Sequence, residues 1–193
     1  MIDKKKAQSL AREIKAVVFD VDGVLTSGLE HVSSTGEVVK TRSYIDGQGI
    51  SLLRAIGLKI VFITSEPAKS ASGEFIKQLI EKWNKLPSSY RSDNPNGWPL
   101  ICLYTDENDN KNKGNLLLDW LAKVGLKTDD CAVMGDDLID VPMLQLAGFK
   151  IAPIQAEESV KQLADWITAR PGGHGAIRDL ANFVLEARGL DPF

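Results

Sequence analysis

Residues 14–26 read Ile14-Lys15-Ala16-Val17-Val18-Phe19-Asp20-Val21-Asp22-Gly23-Val24-Leu25-Thr26. The apolar run Ala16-Val17-Val18-Phe19 is too short to span a membrane and is rich in β-branched side chains. It fits a strand covered on both faces, as in a parallel sheet. The run stops at two carboxylates that bracket one apolar residue and precede a glycine. Ligands of open α/β sheets bind just beyond the carboxyl ends of the strands, so two acids there stand where chemistry is done. Under period-two alternation Asp20 and Asp22 share a face and Val21 points away. Like charges this close repel, and a cation between them is the simplest remedy. Oxygen ligands that leave positions open suit Mg²⁺, which keeps waters and takes a substrate phosphate. Asp-Gly after a strand is also ordinary turn chemistry, but a turn has no need of the acid two residues earlier.

The length of 193 residues fits one domain, 1–193, with room for a real core. An apolar fraction of 44% with 25% charged residues places the chain among ordinary globular proteins. The net charge of -3, with no basic stripe to offset it, argues against a nucleic-acid partner; Lys4-Lys5-Lys6 is a short solvated run. No window is apolar enough for a membrane span, and the first residues lack the apolar core of a secretion signal, so the expected location is cytoplasmic. Cys102 and Cys131 sit inside apolar runs and read as small buried hydrophobes, not a disulfide or metal site.

Working outward, helical spacing of Ala7, Leu10, Ala11 and Ile14 predicts a helix over about 3–13. Alternation on either side of Ser33-Ser34-Thr35-Gly36 predicts a β-hairpin over about 29–40, with His31 a surface residue of it. Asp46 precedes the helical run Ile50–Ile56 and reads equally as its N-cap or as an acid facing the acidic strand end. Lys59–Thr64 is a second buried strand, ending in Thr64-Ser65-Glu66-Pro67. A hydroxyl and backbone N–H groups entering a helix, with Pro67 near its first turn, can hold a phosphate; an ordinary strand-to-helix connection looks the same. A helix follows over about 70–83, then an irregular excursion over about 84–99 rich in Pro, Asn and Ser. A strand over 100–105 leads through a polar run to a helix over 115–124. Lys111 and Lys113 stand just before it, where a cation opposes the helix dipole, and that hints at another use.

The opening device then recurs. Asp130-Cys131-Ala132-Val133-Met134 ends in Gly135-Asp136-Asp137-Leu138-Ile139-Asp140, three carboxylates in five residues between a strand and a helix. Asp137 or Asp140 alone could complement the helix dipole. That does not explain a glycine and an acid pair matching the distant pair at Asp20 and Asp22. A strand near 149–153, a helix over 157–164, a short strand at Trp166-Ile167 and a helix over 176–188 complete the chain, with Trp120 and Trp166 assigned to the core. Strands alternating with helices imply an α/β, doubly wound and mostly parallel Rossmann-like sheet.

Asp20 with Asp22, Thr64, Lys113 and Asp136 with Asp137 stand in the order of the four motifs of the haloacid dehalogenase (HAD) superfamily of phosphohydrolases, which the chain resembles. The DVDGVLT and GDDxxD stretches carry the resemblance; Thr64 and Lys113 add little singly. The short hairpin in place of a cap domain, YIDGQGISLLRAIGLKIVFIT, Asn112-Lys113, GDDLIDVPML and Gly172-Gly173-His174-Gly175-Ala176-Ile177-Arg178 resemble its 3-deoxy-ulosonate phosphatases. That group comprises KDO (3-deoxy-D-manno-octulosonate) 8-phosphate phosphatases, KDN and sialic acid 9-phosphate phosphatases, and the C-terminal domain of some acylneuraminate cytidylyltransferases.

The resemblance implies Asp20 as nucleophile, Asp22 as general acid and base, and Thr64 and Lys113 as holders of the phosphoryl group. It implies Mg²⁺ on the Asp20 carboxylate, the Asp22 main-chain carbonyl and Asp136, with Asp137 and Asp140 orienting the metal site or Lys113. Substrate contacts are implied for Asp46, Gly47, Ser65, Glu66, Lys77, His174 and Arg178, and a homotetramer whose subunits close one another's sites. The chain departs from the KDO 8-phosphate branch in three places. Thr64-Ser65-Glu66 replaces a Thr-Gly-Arg, which is closer to the nine-carbon branch, as is Lys77. His174 replaces an arginine, and the excursion 84–99 has no counterpart. A non-catalytic assembly module is the alternative reading, though the four motif groups are all retained. A response-regulator receiver also uses acids, a Thr and a Lys, but places its phosphorylated Asp on a middle strand and has no late GDD.

Overall fold

The computed structural model describes residues 2–85, 97–105 and 112–190. Most of the excursion at 84–99, and the polar run that includes Lys111, lie outside them. Helix α1 (Lys4–Glu13) leads into β1 (Ala16–Phe19), whose four residues are all buried, as a two-face-covered strand requires. A hairpin of β2 (Thr26–Val32) and β3 (Val38–Arg42) follows, longer at both ends than the alternation implies. Its antiparallel register pairs Glu30 with Lys40 and Thr26 with Arg42, and the shift between them is a bulge at Ser27-Gly28-Leu29. The remaining elements are α2 (Tyr44–Ala55), β4 (Lys59–Thr64), α3 (Ala71–Lys85), β5 (Ile101–Thr105), α4 (Lys113–Val124), β6 (Cys131–Met134), α5 (Val141–Leu146), β7 (Phe149–Ala152), α6 (Glu158–Leu163), β8 (Trp166–Ile167) and α7 (Ala176–Ala187).

The six sheet strands are parallel in the order β5-β4-β1-β6-β7-β8. From β1 the chain winds outward through β4 to β5, then returns to β6 on the other flank of β1 and winds outward again. The direction of winding therefore reverses between β1 and β6, and the crevice beyond their carboxyl ends is the switch point of a doubly wound sheet. Alternation sorts the core into two layers. Val17 and Phe19 of β1 face α1, α2, α3 and α7; Ala16 and Val18 face α4, α5 and α6, with Trp120 at 2% exposure at the centre of that layer. Trp166 is half-buried and stacks on Phe183 at 4.4 Å, packing on the first layer. Cys131 is fully buried and Cys102 half-buried, both free.

Several local expectations shift. Ser43, not Asp46, caps α2, its hydroxyl oxygen accepting the Ile45 N–H at 3.1 Å. Helix α3 begins at Ala71, and Pro67–Ser70 forms a separate turn, so Pro67 is not in a first helical turn. Both ends of the excursion are pinned. Asn84 pairs with both backbone groups of Ile101 at 2.9 Å, and the buried Arg54 donates to the carbonyls of Pro99 at 2.8 Å and Trp83 at 3.2 Å. Among the described residues no helix is long and apolar enough to cross a membrane.

Candidate active site

Phe19 of β1 lies level with Met134 of β6, so the residues that follow each strand emerge side by side at the switch point. Asp20 is 5% exposed and its Oδ1 accepts from Lys113 Nζ. Lys113, the first residue of α4, also lies 2.7 Å from Asp140 Oδ1. Two carboxylates thus outweigh the unfavourable helix dipole at that end. Asp140, fully buried, receives the N–H groups of Asp136 at 2.8 Å and Asp137 at 3.2 Å on its other oxygen. It therefore fixes both the lysine and the turn that carries Asp136. Asp137 is exposed and its side chain accepts from the Leu138 N–H at 2.6 Å, so of these two acids it is Asp140 that bonds Lys113.

Oxygens of Asp20, Asp136 and Asp140 come within 4.8 Å of one another, and Lys113 pairs with Asp20 and Asp140. Burial pushes Asp20 up to about 8, with Lys113 opposing and Asp140 adding to the rise. Burial, then the charges of Asp140 and Asp137, push Asp136 up to about 7. Burial alone would depress Lys113, but Asp20 and Asp140 outweigh it and raise its pKa. Asp136 Oδ1 is buried without a hydrogen-bond partner among the described residues. Gly23, at φ 89°, keeps the gap open, since a Cβ there would run into the Asp136 carboxylate. An orphaned hard oxygen, surplus negative charge and a glycine-walled gap fit a divalent cation such as Mg²⁺.

Asp22 lies at the rim. Its Oδ1 accepts from Thr26 Oγ1 at 3.0 Å and from Lys40 Nζ at 2.9 Å, and Lys40 also lies 3.1 Å from Glu30. Lys40 is missed by reading the sequence; its signal is only that hairpin register sets it opposite Glu30. Thr64 is buried at the end of β4, its hydroxyl oxygen accepting the Glu66 N–H at 3.0 Å. Ser65 is exposed and Glu66 half-buried beside it, near enough to Lys40 to add to that lysine's raised pKa.

The remaining expected substrate residues lie on α2, on α3 and around the start of α7. Asp46 is fully buried, and its two oxygens accept the N–H groups of Gly175 at 2.9 Å and Arg178 at 3.2 Å. It caps α7 from the neighbouring helix instead of facing the acids, because Gly175 carries no side-chain cap of its own. Gly47 faces Trp83 and Arg42, and the Arg178 side chain bonds Asn182 on α7 at 2.9 Å. Lys77 is exposed, 4.0 Å from Glu74 on the same helix. His174 is exposed in a turn whose glycines press on the segment after β1: the Gly173 N–H donates to Val24 at 2.9 Å, and a Cβ on Gly172 would collide with the Gly23 carbonyl.

A family described as haloacid dehalogenase-like hydrolase matches residues 58–178. The chain belongs to that family. It is 30% identical over 179 residues to the 3-deoxy-D-manno-octulosonate 8-phosphate phosphatase KdsC of Salmonella typhi, covering 93% of this chain and 83% of that one. A Moraxella catarrhalis 3-deoxy-D-manno-octulosonate 8-phosphate phosphatase, solved with magnesium, phosphate and KDO, superposes with TM-score 0.78 at 25% identity, covering 96% of this chain and 93% of that one. The cobalt-bound Haemophilus influenzae phosphatase superposes with TM-score 0.75 at 26% identity, covering 93% and 92%. Like these HAD hydrolases, the chain is a phosphoric monoester hydrolase.

Proposed function

We propose that this hydrolase removes the terminal phosphate of an acidic 3-deoxy-ulosonate sugar phosphate, KDO 8-phosphate first among them, by way of an aspartyl-phosphate. The observation that carries the reading is the convergence of Asp20, Lys113, Asp140 and Asp136 at the switch point of the sheet. The kinship with KDO 8-phosphate phosphatases over most of the chain supports the substrate class.

Asp20 attacks phosphorus as the bond to the sugar oxygen breaks, and Asp22 gives that oxygen its proton. The same Asp22 then takes a proton from the water that attacks the acyl phosphate, releasing phosphate and restoring Asp20. Lys113 neutralises the nucleophile and follows charge onto the phosphoryl oxygens. Thr64 uses its hydroxyl oxygen as acceptor and so turns its O–H proton toward the phosphate. Asp20, Asp136 and the Asp22 main-chain carbonyl would hold Mg²⁺, which when bound lowers the charge barrier between an anionic nucleophile and an anionic ester.

A nine-carbon acid, KDN or N-acetylneuraminate 9-phosphate, is the second reading, favoured by Glu66 at the mouth beside Lys40. Exposed Leu29, Val32, Val38 and Val39 on the hairpin, each at least 50% exposed, support assembly into a homotetramer, which mass measurement in solution tests. The deciding experiment compares kcat/KM for the three sugar phosphates with Mg²⁺ present. Preference for KDO 8-phosphate is expected; turnover of none of them would overturn the substrate class. Asp20→Asn should abolish turnover with the fold kept, and persistent turnover would remove Asp20 as nucleophile.

A further inference from the structure

The turn between β7 and α6 touches both sides of the crevice. Its Glu157 N–H donates to the Asp136 carbonyl at 2.8 Å. Two residues earlier, Gln155 Nε2 donates to the Gly23 carbonyl at 2.7 Å, while its Oε1 accepts the Gly172 N–H at 2.9 Å. One short turn, closed by the Ala156 N–H on Pro153 at 3.0 Å, therefore holds the backbone of Asp136 and the backbone just after Asp22. These are the two walls of the gap in which Asp136 Oδ1 lies unpartnered.

The loop ending at Gly175 does not need Gln155 to stay in place, because the Gly173 N–H already bonds Val24 and Asp46 caps the helix that follows. What Gln155 adds is a restraint on the Gly23 peptide. Gly23 sits at φ 89°, lacks a Cβ to limit its rotation, and is joined directly to the Asp22 carbonyl. The Val24 N–H of the Gly23–Val24 peptide makes a long bond to the Val21 carbonyl at 3.4 Å, so the short bond from Gln155 at the other end of that peptide is what tightens the Gly23 dihedrals.

We propose that Gln155 is a positioning residue for the divalent cation: by holding the Gly23–Val24 peptide it fixes the Gly23 dihedrals, and so the direction of the Asp22 carbonyl that would bind the ion. The inference rests on the cation-site reading above. Partners that orient metal ligands are worth about 10–100-fold in affinity, so Gln155→Met should weaken Mg²⁺ binding about tenfold or more.

The test is calorimetric titration of the metal-free full chain with Mg²⁺, for wild type, Asp136→Asn, Gln155→Met and Gln155→Asn. Wild type should bind and Asp136→Asn should not; absence of binding by wild type overturns the site and the inference together. With wild-type binding established, Gln155→Met should bind about tenfold more weakly. Gln155→Asn keeps the chemistry but is a methylene too short to span both arms, and should fall between. Excess Mg²⁺ should restore kcat in both variants, which a general loss of structure would not allow. Affinities within twofold of wild type for both, or a kcat deficit that Mg²⁺ does not repair, overturn the inference while leaving the cation site standing.

Discussion

Lys113 Nζ and Asp140 Oδ1 lie 2.7 Å apart with both residues almost wholly buried. The pair is stable because Asp140 has a second task, receiving two backbone N–H groups on its other oxygen. In Asp140→Asn the amide oxygen serves one side only, and its NH₂ faces a donor on the other. A buried donor left unmatched costs about 1–3 kcal/mol. The expected outcome is a melting temperature lower by about 3–10 °C, and a fall in kcat of at least about tenfold as Lys113 loses its aim. Thermal melts and steady-state kinetics check both, and an unchanged kcat would detach Asp140 from the site.

Asp46 offers the opposite pattern. Its carboxylate is occupied by α7, so Asp46→Ala strips two N–H groups at a buried helix start. A loss of about 1–3 kcal/mol is expected, with Asp46→Asn milder. The KM for substrate should stay within about twofold below the melting range, as expected for a group that stabilises without binding. A large rise in KM with stability unchanged would return Asp46 to the substrate.

Lys40 is largely buried between Asp22 and Glu30, so its stem is held by the hairpin and its charge by the acids. Burial would lower its pKa, but the bond to Asp22 and the further acids around it raise it instead. Lys40→Met removes the group that fixes Asp22 at the rim. A rim ion pair of this kind contributes about 1 kcal/mol or less to stability, so the melting temperature should hold while kcat drops about tenfold. Equal losses in stability and rate would point to a packing role.

The sheet was legible because its signals are local: apolar runs of strand length, most of them ended by an acid, a hydroxyl or a glycine. The pairing of Asp20 with Asp136 was implied by the resemblance to the haloacid dehalogenase motifs, and the level register of β1 and β6 brings the two strand ends together. What could not be read were contacts made between elements far apart in sequence. Asp46 sits where a helix N-cap or an active-site acid would sit, and only the packing of α2 on α7 shows that it caps a helix more than a hundred residues away. Lys40 and Gln155 carry no local signal, because their partners are set by hairpin register and by a turn in the far half of the sheet. Asp137 and Asp140 look alike in sequence; the short turn over Leu138–Asp140 points one outward and the other at Lys113.

The raised pKa values of Asp20 and Asp136, about 8 and about 7 against 3.8 in the unfolded chain, make stability depend on pH in a direction opposite to that of salt-bridged carboxylates. An acid whose folded pKa is raised binds its proton more tightly in the folded state. Its contribution is full at low pH and is lost as pH rises through the folded value. The metal-free protein should therefore melt lower as pH goes from about 4 to about 8, the span between the unfolded and folded values, as a buried cluster with one lysine takes on its further negative charges. Mg²⁺ should reverse the slope, because it binds the deprotonated acids and stabilises more as they lose their protons. Melting curves with chelator and with millimolar Mg²⁺ across that range check this. In Asp136→Asn both the decline and its reversal should shrink. Parallel curves with and without Mg²⁺ would show that the acid cluster does not take the ion.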